Sequence, residues 1–126
     1  MGYERPISGE FYDDNWLTSK VEIAAGSFSG SFSLSLTTQD FSSFLEQLEP
    51  LYNTLQGKAK FATMEGQIEF SLSGNGRGGI EVSGQVMDQA GIGNRLEFNF
   101  SIDQTYIPSA LNELRGITKQ FPIRSA

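Results

Sequence analysis

The sequence predicts a two-layer α+β domain: an antiparallel β-sheet of about six strands with two helices on one face, in the order ββ-α-ββββ-α. Three observations predict it. Six segments alternate apolar and polar residues with a period of two, so each gathers its apolar side chains on one face of a strand. Two further segments switch to helical periodicity. Clusters of Gly, Asn, Asp and Ser separate the strands, as hairpin connections require.

In the first strand Leu17, Val21 and Ile23 alternate with Thr18, Lys20 and Glu22. In the second, Phe28, Gly30, Phe32, Leu34 and Leu36 alternate with serines 27, 29, 31, 33 and 35, and Gly26-Ser27 forms the turn between them. The period then changes. Phe41, Phe44, Leu45, Leu48, Leu51, Tyr52 and Leu55 make one helical stripe. Thr37 or Thr38 can cap its start, Asp40 suits the positive first turn, and Gly57 fits the left-handed position after its end. Pro50 is discordant, because an interior proline removes an amide donor and costs about 3 kcal/mol. A kink, or a second helix starting there, is expected.

Four strands follow. Residues 58–64 are anchored by Phe61, and Glu65-Gly66 turns the chain. Ile68, Phe70 and Leu72 alternate with Gln67, Glu69 and Ser71. After a glycine-rich loop, Ile80, Val82 and Val86 alternate with Glu81, Ser83 and Gln85, and Gly84 interrupts the apolar series. Leu96, Phe98, Phe100 and Ile102 alternate with Glu97, Asn99, Ser101 and Asp103. The final helix carries Ile107, Ala110, Leu111, Leu114, Ile117 and Phe121, with Thr105 as candidate N-cap and Pro122 as stop. An extra strand near Phe11 is a further expectation. Helices on one face leave the other face wide, polar and flat.

The 126 residues fit one domain, spanning 1–126. Neither cysteine nor histidine occurs, which excludes disulfides, thiolate metal sites and a Ser-His-Asp triad. No signal-like apolar segment opens the chain, and no apolar run approaches the roughly 18 residues of a membrane span, so a cytoplasmic location is expected. The net charge of −6 repels phosphate backbones and anionic lipid, so neither nucleic acid nor membrane is an expected partner. The same charge steers a basic partner in, or serves solubility alone.

No group stands out for catalysis. The carboxylates occupy solvent-facing strand positions rather than a cleft, where a glycosidase needs a facing pair. Asp13-Asp14 lacks further acids at calcium-loop spacing. The loop 73–79 leads into a strand, whereas a phosphate loop must lead into a helix, so it is a hairpin tip. Ser19-Lys20 and Thr118-Lys119 are ordinary surface pairs. No catalytic residue, metal site or cofactor is expected. Trp16 is either a contact anchor or a core residue beside Leu17, and Tyr106 beside Asp103 marks a helix entrance.

Several stretches, in order, resemble the WapI-like immunity proteins. They are Asp14-Asn15-Trp16-Leu17, the helix over 38–55 closed by Gly57, Phe61-Ala62-Thr63-Met64-Glu65-Gly66, Gly79-Ile80-Glu81-Val82, Leu96-Glu97-Phe98, Asp103-Gln104-Thr105-Tyr106-Ile107-Pro108 and Phe121-Pro122. The likeness covers about residues 10–123. It implies a cytosolic protein that neutralises the toxic C-terminal domain of a WapA-type polymorphic toxin by binding it. Such toxins are often nucleases, which are commonly basic because they grip phosphate. The expected contact surface is the exposed sheet face, through Glu22, Glu69, Glu81, Glu97 and Asn99, in a monomer or weak dimer. The alternatives are a small-ligand carrier, which requires an apolar cavity between sheet and helices, and a structural interaction domain.

Overall fold

The computed structural model describes residues 2–3 and 15–123. In chain order these form β1 (Gly2–Tyr3), β2 (Trp16–Ala25), β3 (Phe28–Thr37), α1 (Thr38–Thr54), β4 (Gln56–Ala62), β5 (Ile68–Asn75), β6 (Gly79–Met87), β7 (Arg95–Asp103), a 3-10 turn (Gln104–Tyr106) and α2 (Ile107–Gln120). The α+β class and the element order are those the sequence predicts. The strands divide between two antiparallel sheets, β1-β2-β3 and β4-β5-β6-β7. The division has a simple cause. β3 runs directly into α1, which carries the chain away from the β2–β3 hairpin. When strand structure resumes, β4 pairs with β5 and not with β3. The possible strand near Phe11 and the pair Asp13-Asp14 lie outside the described residues.

Residues directly opposite one another on paired strands share a face. The inner face of the four-stranded sheet therefore holds the rows Phe61–Phe70–Gly84–Phe98, Ala59–Leu72–Val82–Phe100 and Ile68–Val86–Leu96. The hairpin turns Leu17, Val21, Ile23, Phe32, Leu34 and Leu36 toward the same core. Helix α1 inserts Phe44, Leu48 and Leu51, and α2 adds Ile107, Leu111 and Leu114. Phe44 stands edge-on to Phe61 at 5.6 Å and to Phe70 at 5.4 Å, while Phe61 stacks on Phe70 at 5.4 Å. Each such side chain contributes roughly 1.5–3 kcal/mol by burial. Trp16 is half-buried and lies outside this core cluster.

Gly84 interrupts the apolar series because its row has no room. A Cβ there would lie 2.4 Å from Phe70 Cβ and 2.3 Å from the Glu69 carbonyl oxygen.

Helix α1 starts at a capping box in which the Asp40 carboxylate accepts the Thr37 N–H at 2.9 Å. It continues through Pro50 as one helix, so no second helix starts there. Leu48 and Leu51, buried on either side, hold the turn, and Pro50 itself is exposed. The left-handed residue that caps α1 is Leu55 (φ 60°); Gly57 also has a positive φ (96°), but it lies two residues further on, in β4. Leu55 is held there because its N–H donates to the Leu51 carbonyl at 2.7 Å and its own carbonyl accepts from Gly76 N–H at 2.6 Å. At the other end of the chain Asp103, rather than Thr105, caps the 3-10 turn by accepting the Thr105 N–H at 2.7 Å.

The two edges of the four-stranded sheet differ. At β4 the Gln47 side-chain amide accepts the Lys60 N–H at 2.9 Å and donates to the Lys60 carbonyl at 3.2 Å, in place of a neighbouring strand. No described strand lies beyond β7.

Two outcomes are expected. Gly84→Val lowers unfolding stability by about 1–3 kcal/mol through overpacking, and Gln47→Ala by about 0.5–1.5 kcal/mol through the lost amide bonds, both read by urea denaturation. In a carboxylate NMR titration Asp40 titrates above, and Asp103 below, the ordinary value of 3.8; burial raises Asp40, and hydrogen bonds from the Thr105 hydroxyl and N–H lower Asp103. By linkage, stability from neutral Asp40 is complete below 3.8 and disappears as pH rises through its folded pKa. Stability from ionised Asp103 is complete above 3.8 and disappears as pH falls through its depressed pKa.

Candidate partner-binding face

Because the inner face is filled, the alternate side chains of β4–β7 all turn outward. Register places them in three rows: Lys58–Ser73–Glu81–Ser101, Lys60–Ser71–Ser83–Asn99 and Glu69–Gln85–Glu97. Every one of these residues is exposed or half-exposed. The middle of the face is low because serines sit there, with longer side chains around them. The result is an open depression of about 580 Å³, lined by Glu69, Ser71, Ser83, Gln85, Glu97 and Asn99. Its floor is the backbone of Phe70, Gly84 and Phe98; the two phenylalanine side chains point the other way.

Four of the five residues expected at the contact surface share this face. Glu69, Glu97 and Asn99 line the depression, and Glu81 lies in the adjacent row. Glu22 lies elsewhere. Val21 and Ile23 turn toward the four-stranded sheet, so Glu22 between them turns away, onto the outer face of the hairpin with the β3 serines and Lys20. The two outer faces look in opposite directions because the two inner faces share one core. Ser71, Ser83 and Gln85 were not singled out from the sequence. Their parity was visible there, but their position beside Glu69, Glu97 and Asn99 depends on cross-strand register.

The face is polar without being strongly acidic. Lys60 Nζ lies 2.9 Å from Glu69 Oε1, and Arg95 Nη1 lies 3.7 Å from Glu97 Oε1. The Ser101 hydroxyl donates to Glu81 at 2.5 Å. Lys58, Lys60 and Arg95 thus balance Glu69, Glu81 and Glu97. Among the described residues, Asp40, Glu46, Glu49 and Glu113 carry further acid on the helices, off this face. Among the described residues no group of three carboxylates is placed to hold a metal ion, and no helix is long and apolar enough to cross a membrane.

The stretches that carried the family likeness have structural tasks. Asn15 is fully buried, its carbonyl accepts the Thr38 N–H at 3.1 Å, and its side chain accepts the Thr38 hydroxyl at 3.3 Å, which ties the start of β2 to the start of α1. Thr63 closes the β4–β5 turn by bonding Ile68 through both N–H and hydroxyl. Buried Gln67 donates to the Met87 carbonyl at 3.2 Å.

The molecule is thus a small α+β protein with a filled inner face and an open, hydrogen-bonding outer one. It belongs to the WapI-like immunity protein family, whose sequence model matches residues 1–122. Membership supports an immunity function and, with it, a protein toxin as partner. No curated protein matches the chain significantly.

Exposed polar positions with no buried partner contribute little to folding. Ser71→Ala, Ser83→Ala and Asn99→Ala are each expected to leave stability within about 0.5 kcal/mol of the parent. Lys60→Ala loses less than about 1 kcal/mol, since its ion pair is half-exposed. Thermal denaturation of the four variants checks this.

Proposed function

We propose that this chain is a non-enzymatic immunity protein that binds the toxic C-terminal domain of a WapA-type polymorphic toxin with the outer face of β4–β7. The observation that carries the reading is the depression over Ser71 and Ser83, where hydroxyl, amide and carboxylate groups from β5, β6 and β7 converge on open space. A cytoplasmic protein of this kind neutralises by occupying the toxin's surface, so it needs no catalytic group of its own.

The charge layout divides the work of association. The net charge of −6 attracts a basic nuclease at long range, which raises the association rate at low salt. Contact then falls on a face where acids and bases balance. Affinity there rests on hydrogen bonds and shape, with Glu69 and Glu97 exchanging an intramolecular cation for one on the toxin. The carrier reading is less well supported. It asks for an apolar cavity between sheet and helices, whereas the apolar-lined clefts among the described residues lie between the hairpin and the sheet, with no helix residue in their lining.

The test is survival of cells that express the toxin domain encoded upstream of this gene. Co-expression of the parent chain is expected to rescue growth. Ser83→Arg, in the lining of the depression, is expected to abolish rescue while leaving the fold intact, and Ser33→Arg, on the outer face of the hairpin, is expected to rescue like the parent. Rescue by Ser83→Arg together with failure of Ser33→Arg would move the contact to the hairpin. Death with the parent chain would refute immunity toward that toxin.

A further inference from the structure

We infer that β7 is a self-association edge, along which a second copy of this chain adds its own β7 in antiparallel register centred on Asn99. The first observation is asymmetric protection. The Gln47 amide covers the free edge of β4, whereas no described strand covers β7. An uncovered edge is a template for another strand. The second is space. A cleft of about 550 Å³ runs along β7 beside the tip of the β2–β3 hairpin, lined by Ala24, Ala25, Phe28, Leu96, Phe98 and Phe100 among others. Phe28 is 69 % exposed and Phe100 45 % exposed, so apolar surface flanks the open edge.

The third observation selects a second copy as occupant. About a two-fold axis through Asn99, all nine residues of β7 find partners. On the inner face Phe98 lies opposite the second copy's Phe100, and Leu96 opposite its Ile102. On the outer face Arg95 lies opposite Asp103, and Glu97 opposite Ser101. Each contact occurs twice, as an isologous interface requires. Apolar meets apolar, and the only base meets the acid at the far end of the strand. Shifting the centre to Phe100 sets Glu97 against Asp103, and shifting it to Glu97 sets that residue against itself. A one-residue slip of the pairing puts phenylalanine on the polar face. The β3 edge is also uncovered among the described residues, but it contains no charged residue to fix a register. The pairing joins two four-stranded sheets into one of eight strands and makes their polar outer faces continuous.

The chain has no cysteine, so disulfide trapping reads the register directly. Residues directly opposite in an antiparallel pair lie about 4.5–5.5 Å apart, within disulfide reach. Sedimentation equilibrium of the full chain is expected to show a concentration-dependent dimer. Under mild oxidation Asn99→Cys is expected to form a disulfide dimer, and Ser83→Cys, one strand inward, is not. A mixture of Glu97→Cys and Ser101→Cys chains is expected to cross-link as the heterodimer. Arg95→Asp sets two acids opposite each other at both ends and is expected to weaken the dimer about tenfold; adding Asp103→Arg restores it. Three results would overturn the inference: a monomer at every concentration up to about 1 mM, cross-linking of Asn99→Cys no faster than that of Ser83→Cys, or a dimer indifferent to Arg95→Asp. A chain that is monomeric alone, and whose β7 thiols are shielded only when the toxin domain is added, would assign the edge to a toxin strand instead.

Discussion

Phe44 of α1 seats edge-on against Phe61 and Phe70, and that contact fixes which side of the sheet can meet a partner. The cross-strand row Phe61–Phe70–Gly84–Phe98 gives the helix a surface to press on. Gly84 keeps the row passable by leaving Phe70 the space a side chain would take. Once this face is committed to the core, strand geometry turns every alternate residue outward. The helices and the hairpin have both been used on the inner side. The polar face is therefore a consequence of the aromatic one.

The balance of charges on that face separates two effects that net charge alone would merge. A chain with an excess of six acids invites the idea of an acidic contact patch. Lys60 and Arg95 cancel that locally, and the helices carry Asp40, Glu46, Glu49 and Glu113 off the face. Under the proposed function, attraction at a distance and recognition at contact belong to different features of the molecule. A face built from hydroxyls, amides and paired charges can change specificity by small substitutions without disturbing the core. Such a surface suits a family whose partners are toxins.

Much of this was legible in the residues. The period-two runs located the strands from Leu17 to Ile102, and the helical stripes located both helices, because side-chain alternation reports directly on which face is buried. Four of the five expected contact residues fell on one face for the same reason. What alternation cannot report is which strands pair. Glu22 has the right parity on its own strand, yet β2 belongs to another sheet. Gly57 does have a positive φ, but the left-handed cap of α1 is Leu55, whose carbonyl a long-range bond from Gly76 holds. Pro50 suggested a kink or a second helix, and the second helix is absent because buried leucines on both sides carry one helix through it. Each difference arises from contacts between segments far apart in sequence.

Thiol footprinting would weigh the proposed docking surface directly. Ser71→Cys, Ser83→Cys and Ser101→Cys place single thiols on the outer face of β4–β7, and Ser31→Cys and Ser33→Cys place them on the outer face of the hairpin. Maleimide labelling would be timed with and without the bound toxin domain. Slowing by at least about tenfold at the sheet thiols, with the hairpin thiols unchanged, is the expected result. Unchanged labelling at the sheet thiols in a saturated complex would contradict it and leave the polar face without a role in recognition.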